Sequence, residues 1–116
     1  MGSSGSGTLG NYQPSEKASC DEPIATDLEE VAREEYFSGR GTVPPVGTKL
    51  QLHKGTVKGR LIVETVKKPE IIGLLPTSFH HLVLCLKKGY SYDGEVTASG
   101  GKKIPVVTVS LVAHKP

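Results

Sequence analysis

Apolar and polar residues alternate with a period of two over much of the chain after residue 48. In "TKLQLHK" Leu50 and Leu52 stand against Lys49, Gln51 and His53, the pattern of a half-buried strand. "GTVKGRLIVET" repeats it, with Val57, Leu61 and Val63 on one face and Lys58, Arg60 and Glu64 on the other. Gly55 supplies a tight turn between the two runs, and Gly59 a bulge or bend. "PEIIGLL" reads as a third strand, the stretch from Tyr90 through "DGEVTA" as a fourth and "KIPVVTVSLVAH" as a fifth. The Gly-rich "SGGK" joins the last two as a hairpin.

Two segments switch to helical spacing. Phe79, Leu82, Val83 and Leu86 fall at i, i+3, i+4 and i+7, which predicts an amphipathic helix over 77–87. Thr77 or Ser78 caps its start, Lys87 and Lys88 suit its C-terminal dipole, and Gly89 closes it. Upstream, "TDLEEVAREEYF" opens with Thr26 and Glu29 at capping-box spacing and carries a narrow stripe of Leu28, Val31 and Ala32. It predicts an acidic helix over about 26–37, weakly docked and outside the core. "GTVPPVGTK" is a stiff connection, and Gly73 with Pro76 reads as the corner between the third strand and the middle helix.

The expected architecture is mostly β: a small OB-like or SH3-like barrel with one short helix between strands and a peripheral N-terminal helix. Residues 1–23 read as an expression-vector scar and flexible lead-in, 24–38 as the acidic helix, and 39–116 as a basic β-barrel domain cut from a longer protein.

Charge changes the picture, because it is split along the chain. Residues 1–37 hold eight acids and two bases, a net of −6; residues 38–116 hold twelve bases and four acids, a net of +8. A basic body behind an acidic lead-in suggests a polyanion partner, against the plain alternative of a Lys-rich solvated surface. No apolar run reaches the roughly 18–20 residues that span a bilayer, so no membrane partner is expected. The two cysteines, Cys20 and Cys85, allow one bridge, but read in the first place as free thiols in a reducing compartment, intracellular and either nuclear or cytoplasmic.

Catalytic and metal chemistry find no pattern. The four histidines, His53, His80, His81 and His114, lack metal-ligand spacing, and the adjacent His80 and His81 diverge by about 100° on a helix. Cys85 lies four residues after His81, but in apolar surroundings with no acid near in sequence. No phosphate-loop or dinucleotide motif occurs. The expectation is a non-enzyme with no cofactor and no metal. Tyr90 and Tyr92 share one face of a strand. They form either a stacking platform for unpaired bases or, since Val96 has the same parity, part of the core face.

"EYFSGR…VPPVGTKLQLHKG…GRLIVETVKKPEIIGLLPTSFHHLVLCLKKGYSYDGEVTASGGKKIPVVTVSL" resembles the HIRAN domain pattern over about residues 36–112. "IIGLLPTSFHHLVLCL" matches that family's glycine–Leu–Pro corner and following helix, and "VGTKLQLHK" its first strand. The resemblance implies a barrel related to the OB fold that binds single-stranded DNA within a larger repair or remodelling protein. The chain departs from the family where Leu74 replaces the usual aromatic and where an Asn/Pro-rich segment is missing, so residues that would hold a 3′ hydroxyl have no counterpart here.

The candidate contacts to nucleic acid are Lys49, Lys54, Lys58, Arg60, Lys87, Lys88, Tyr90, Tyr92, Lys102 and Lys103. The expected function is a non-catalytic, monomeric module that binds single-stranded nucleic acid, DNA in the first place. The alternative is a protein-interaction or scaffold domain whose partner docks on an exposed strand edge or acidic surface.

Overall fold

The computed structural model describes residues 19–101 and 103–116. Six strands build one antiparallel sheet: β1 (Ile24–Asp27), β2 (Lys49–Val57), β3 (Arg60–Thr65), β4 (Ile71–Leu74), β5 (Ser91–Gly100) and β6 (Val106–His114). Their order across the sheet is β1-β6-β5-β2-β3-β4. Two short helices accompany them, α1 (Glu35–Arg40) and α2 (Leu82–Lys87), with 3₁₀ turns at Val31–Arg33 and Thr77–Phe79.

The sheet curls into a half-barrel around Leu50, Val63, Ile72, Tyr92, Val96, Val107, Val109 and Leu111, all essentially inaccessible to solvent. Alternation sends these side chains inward from every strand, as the period-two pattern demands. The five expected strands are present. The turn between β2 and β3, however, sits at Lys58 and Gly59 rather than at Gly55. Both have positive φ, 53° and 78°, and Val57 pairs with Arg60. That is a two-residue primed turn, whose twist matches the strands and which a glycine adopts without steric cost. Gly55 lies inside β2, close to a bulge between Leu52 and Thr56.

The segment 24–38 departs most from expectation. The acidic helix drawn there is absent: residues 24–27 form β1, which pairs with β6 from Ile24↔Leu111 to Asp27↔Thr108. Leu28 N–H then donates to Val107 O at 2.8 Å, while Glu29 exchanges both backbone bonds with Leu74 of β4 at 2.8 and 2.9 Å. One stretch of backbone thus straps the two edges of the sheet together. Ile24, Leu28 and Val31 belong to the core. The reason is tertiary: β6 needs an edge partner, and Ile24, Thr26 and Leu28 also fit a period of two. The backbone bonds gained there outweigh a capping box worth about 1 kcal/mol. A helix does lie at the periphery, but it is α1, with no buried residue and a left-handed Gly41 as its stop.

The strap explains the glycine of the "GLLP" corner. A Cβ on Gly73 would stand 2.9 Å from Leu28 Cβ and 3.1 Å from Glu29 O, so only glycine lets the strap approach β4. Pro76 begins the next turn, its carbonyl accepting from Phe79 N–H at 3.0 Å. Leu82 and Cys85 anchor α2 on the core. Cys85 is not a free thiol: it is bonded to Cys20, with Cα atoms 5.6 Å apart and a sequence separation of 65. The expectation of two reduced cysteines, and with it any thiolate chemistry at Cys85, is overturned.

Candidate functional site

β2 and β5 part company at one end of the sheet. They pair through Lys49↔Glu95, Leu50↔Gly94 and Gln51↔Asp93, and there the ladder stops. β5 continues along β6 as far as Ser91↔His114, while β2 follows β3 past its bulge. A slot opens between them, and α2 lies across it. Three adjoining cavities of about 390, 140 and 240 Å³ share Lys54 and Leu86 as lining.

The two sides of the slot differ in chemistry. On the α2 side, half-buried Val83 and Leu86 give an apolar floor, Tyr90 stands beside it, and Lys54 and Lys87 flank it. Lys88 follows as the C-cap of α2. The other mouth is polar. Gln51 and His53 of β2 both turn toward buried Glu64 of β3. Gln51 Nε2 donates to Glu64 Oε2 at 2.8 Å, and His53 Nδ1 lies 3.0 Å from Oε1. Across the slot Asp93 accepts from His114 Nε2 at 2.9 Å. Among the described residues no group of three or more His, Cys, Asp or Glu side chains is placed to hold a metal.

Tyr92 is the hinge of this arrangement. Its ring is buried, its Oη donates to Cys20 O at 2.8 Å, and burial pushes the phenol above its usual range, so it remains a neutral donor. With Cys20 bonded to Cys85, and Tyr90 N–H donating to Cys85 O at 3.1 Å, α2 and the start of β5 form one unit. Of the tyrosine pair, then, Tyr92 lies on the core face as a buried wall of the slot, and only Tyr90 is partly exposed there. The platform of two rings does not form.

The ten sequence candidates separate accordingly. Lys54, Lys87 and Tyr90 come together at the slot, with Tyr92 as its buried wall and Lys88 following as the C-cap of α2. None of the three lysines takes part in an ion pair among the described residues. Lys49 pairs with Glu95 at 3.0 Å. Arg60 is taken up by Glu29 at 2.5 Å, by Glu30 at 3.8 Å and by Leu75 O at 2.8 Å. Lys58 lies with Arg60 beside Glu30 and Glu34 in a separate cavity of about 290 Å³. Lys103 sits in the β5–β6 turn, separated from the slot by nine residues of ladder, roughly 30 Å. Lys102 lies outside the described residues.

So Lys49, Lys58, Arg60 and Lys103 do not join the site. The acidic segment that lends its charge to Lys58 and Arg60 belongs to the fold, not to a detachable lead-in. Sequence reading missed Gln51, His53, Glu64, Asp93 and Leu86. Their only signal was that Gln51, His53 and Glu64 are the polar half of alternating strands, which marks a face but not a slot in it. Comparison with protein-family models, curated proteins and solved structures finds no match to the chain. No helix among the described residues is long and apolar enough to cross a membrane.

Proposed function

We propose that the chain is a non-catalytic module that binds single-stranded nucleic acid, DNA in the first place, in the slot between β2 and β5. The observation that carries this reading is the convergence of Lys54 and Lys87, without carboxylate partners among the described residues, beside Tyr90 and the Leu86 floor. Phosphates meet the lysines, and an unstacked base covers Tyr90 and Leu86. Stacking of this kind contributes about 1–3 kcal/mol per base. A HIRAN-like barrel, which the sequence resembles, is consistent with it.

The test is fluorescence anisotropy with a labelled twelve-residue oligothymidylate at 50 and 200 mM salt. Binding weakens steeply with salt, and the double variant Lys54→Glu/Lys87→Glu flattens the slope by about 1.4, two phosphate contacts at roughly 0.7 each. Lys103→Glu, at the far hairpin, leaves the slope unchanged. No binding at 50 mM salt by the folded protein overturns the reading. The account that then stands is a protein-interaction module, favoured by the edge of β2 beyond Gln51, which pairs with β3 alone.

A nuclear or cytoplasmic setting goes with DNA binding, and there the Cys20–Cys85 bond meets a reducing pool. A reduction potential below about −300 mV keeps it closed in that pool, and a higher one places the protein in a more oxidising compartment.

A further inference from the structure

The polar mouth of the slot brings several hydrogen-bond acceptors together, with the Lys54 ammonium and the Ser91 hydroxyl as donors lining the same opening. Gln51 spends one of its two amide N–H groups on Glu64, and its Oε1 remains as an acceptor. His53 holds Glu64 through Nδ1 at 3.0 Å. A carboxylate accepts and cannot donate, so Nδ1 carries the proton, and in the neutral ring Nε2 is an acceptor. Asp93 gives one oxygen to His114, and Oδ2 is left as a further acceptor. These atoms share one opening of about 390 Å³ with the Leu52 and Leu86 side chains.

The register brings two of them side by side. Gln51 and Asp93 are direct partners on neighbouring strands, the last pair before the strands splay. Directly opposed side chains start about 4.5–5.5 Å apart at Cβ and lie on the same face. Gln51 Oε1 and Asp93 Oδ2 therefore make an adjacent pair of acceptors, and buried Glu64 holds the Gln51 amide through Nε2.

We infer that this mouth is a base-reading subsite that selects guanine over thymine or uracil; the inference rests on the single-strand reading above. Guanine offers two adjacent donors, N1–H and N2–H, along one edge, which match the two acceptors. Thymine and uracil set two carbonyl oxygens around a single N–H, so they offer the two acceptors one donor where guanine offers two. The phosphate of the same nucleotide reaches Lys54, which lines the same opening.

The experiment compares the twelve-residue oligothymidylate with copies in which one guanine is moved through each position, measured by anisotropy at 50 mM salt. At its best position guanine binds about tenfold more tightly than thymine, within the range of one well-placed bidentate contact. Inosine there, which lacks the N2 amine, loses most of that gain, and this arm needs no protein variant to fold. Asp93→Asn removes the carboxylate, and the guanine preference drops to within about twofold of thymine.

If oligothymidylate binds but guanine helps nowhere, or inosine equals guanine, the base-reading inference is overturned and the single-strand reading stands. If no oligonucleotide binds, the single-strand reading falls and this inference with it.

Discussion

Lys54 and Arg60 belong to the same hairpin, and their surroundings have little in common. Arg60 stands at the strapped side of the half-barrel, where Glu29 and Glu30 from the N-terminal segment cover it and Leu75 O completes its bonding. Lys54 stands at the splayed side, where the ladder between β2 and β5 has stopped and among the described residues no carboxylate pairs with it. The strap turns cations into fold; the splay leaves cations for a ligand. Net charge along the sequence does not distinguish the two, because the acids that pair with Arg60 are about thirty residues away in the chain.

The comparison breaks most severely if the strap is removed. Deleting residues 1–33 takes Ile24, Leu28 and Val31 out of the core. At about 1.5–3 kcal/mol for each side chain, the loss rivals the 5–15 kcal/mol that holds a domain of this size together. The shortened chain is expected to lose its cooperative thermal transition in calorimetry. A sharp transition retained would show that the strap is not part of the folding unit.

The disulfide comes next, on the splayed side. Closing a loop of 65 residues restricts the unfolded chain by about 4 kcal/mol in the chain-entropy picture. Cys20→Ser/Cys85→Ser should therefore lower the urea midpoint by a corresponding amount. It should also weaken oligonucleotide binding, because α2 and the start of β5 are held as one unit by Cys85 and Tyr92. Unchanged stability and affinity would separate the bond from both.

Gly73 returns to the strapped side with a smaller effect. Gly73→Ala pushes a methyl group against Leu28 Cβ and Glu29 O, neither of which is the loose end of a flexible side chain. The expected cost is about 1–3 kcal/mol, the range for overpacking, and binding in the slot stays the same. A neutral result in denaturant unfolding would mean that the strap moves away freely.

What could be read in the sequence follows the same division. β2 through β6 were legible because their alternation is local, and α2 because Leu82, Val83 and Leu86 are spaced for one helical face. β1 was not, because Leu28 and Val31 fit helical spacing while Ile24, Thr26 and Leu28 fit a strand, and only the free edge of β6 decides between them. Lys54, Lys87 and Lys88 were named among the cations, but nothing local distinguished them from Lys49, Lys58 and Arg60. The slot itself depends on where one ladder ends, a property of register and of the Cys20–Cys85 bond. Neither shows in composition or spacing.

The smallest expected effect sharpens the comparison at the strapped side, where acids outnumber the cations they face. Burial raises the Glu34 carboxyl above its usual range, Glu30 and Glu35 add to this, and Lys58 pulls the other way. A carboxyl with a higher pKa in the folded than in the unfolded chain binds its proton more tightly when folded. Its contribution to stability is fully present below the unfolded pKa and is lost as pH rises through the folded one. At neutral pH an ionised Glu34 therefore costs stability, and Glu34→Gln should gain a little, within the ~0.5 kcal/mol typical of surface changes. Below about pH 4, where free carboxyls take up protons, the difference should close. Glu70 runs the opposite way: the hydrogen bonds from Arg40 lower its pKa, so its contribution is present above the unfolded pKa and fades as pH falls through the folded one. That loss is common to both proteins and cancels between them. Urea unfolding of the two at pH 7 and pH 3.5 measures the difference. A variant less stable than the parent at pH 7 would mean that the Glu34 carboxylate is a needed partner of Lys58 and that the strapped side has no surplus of negative charge.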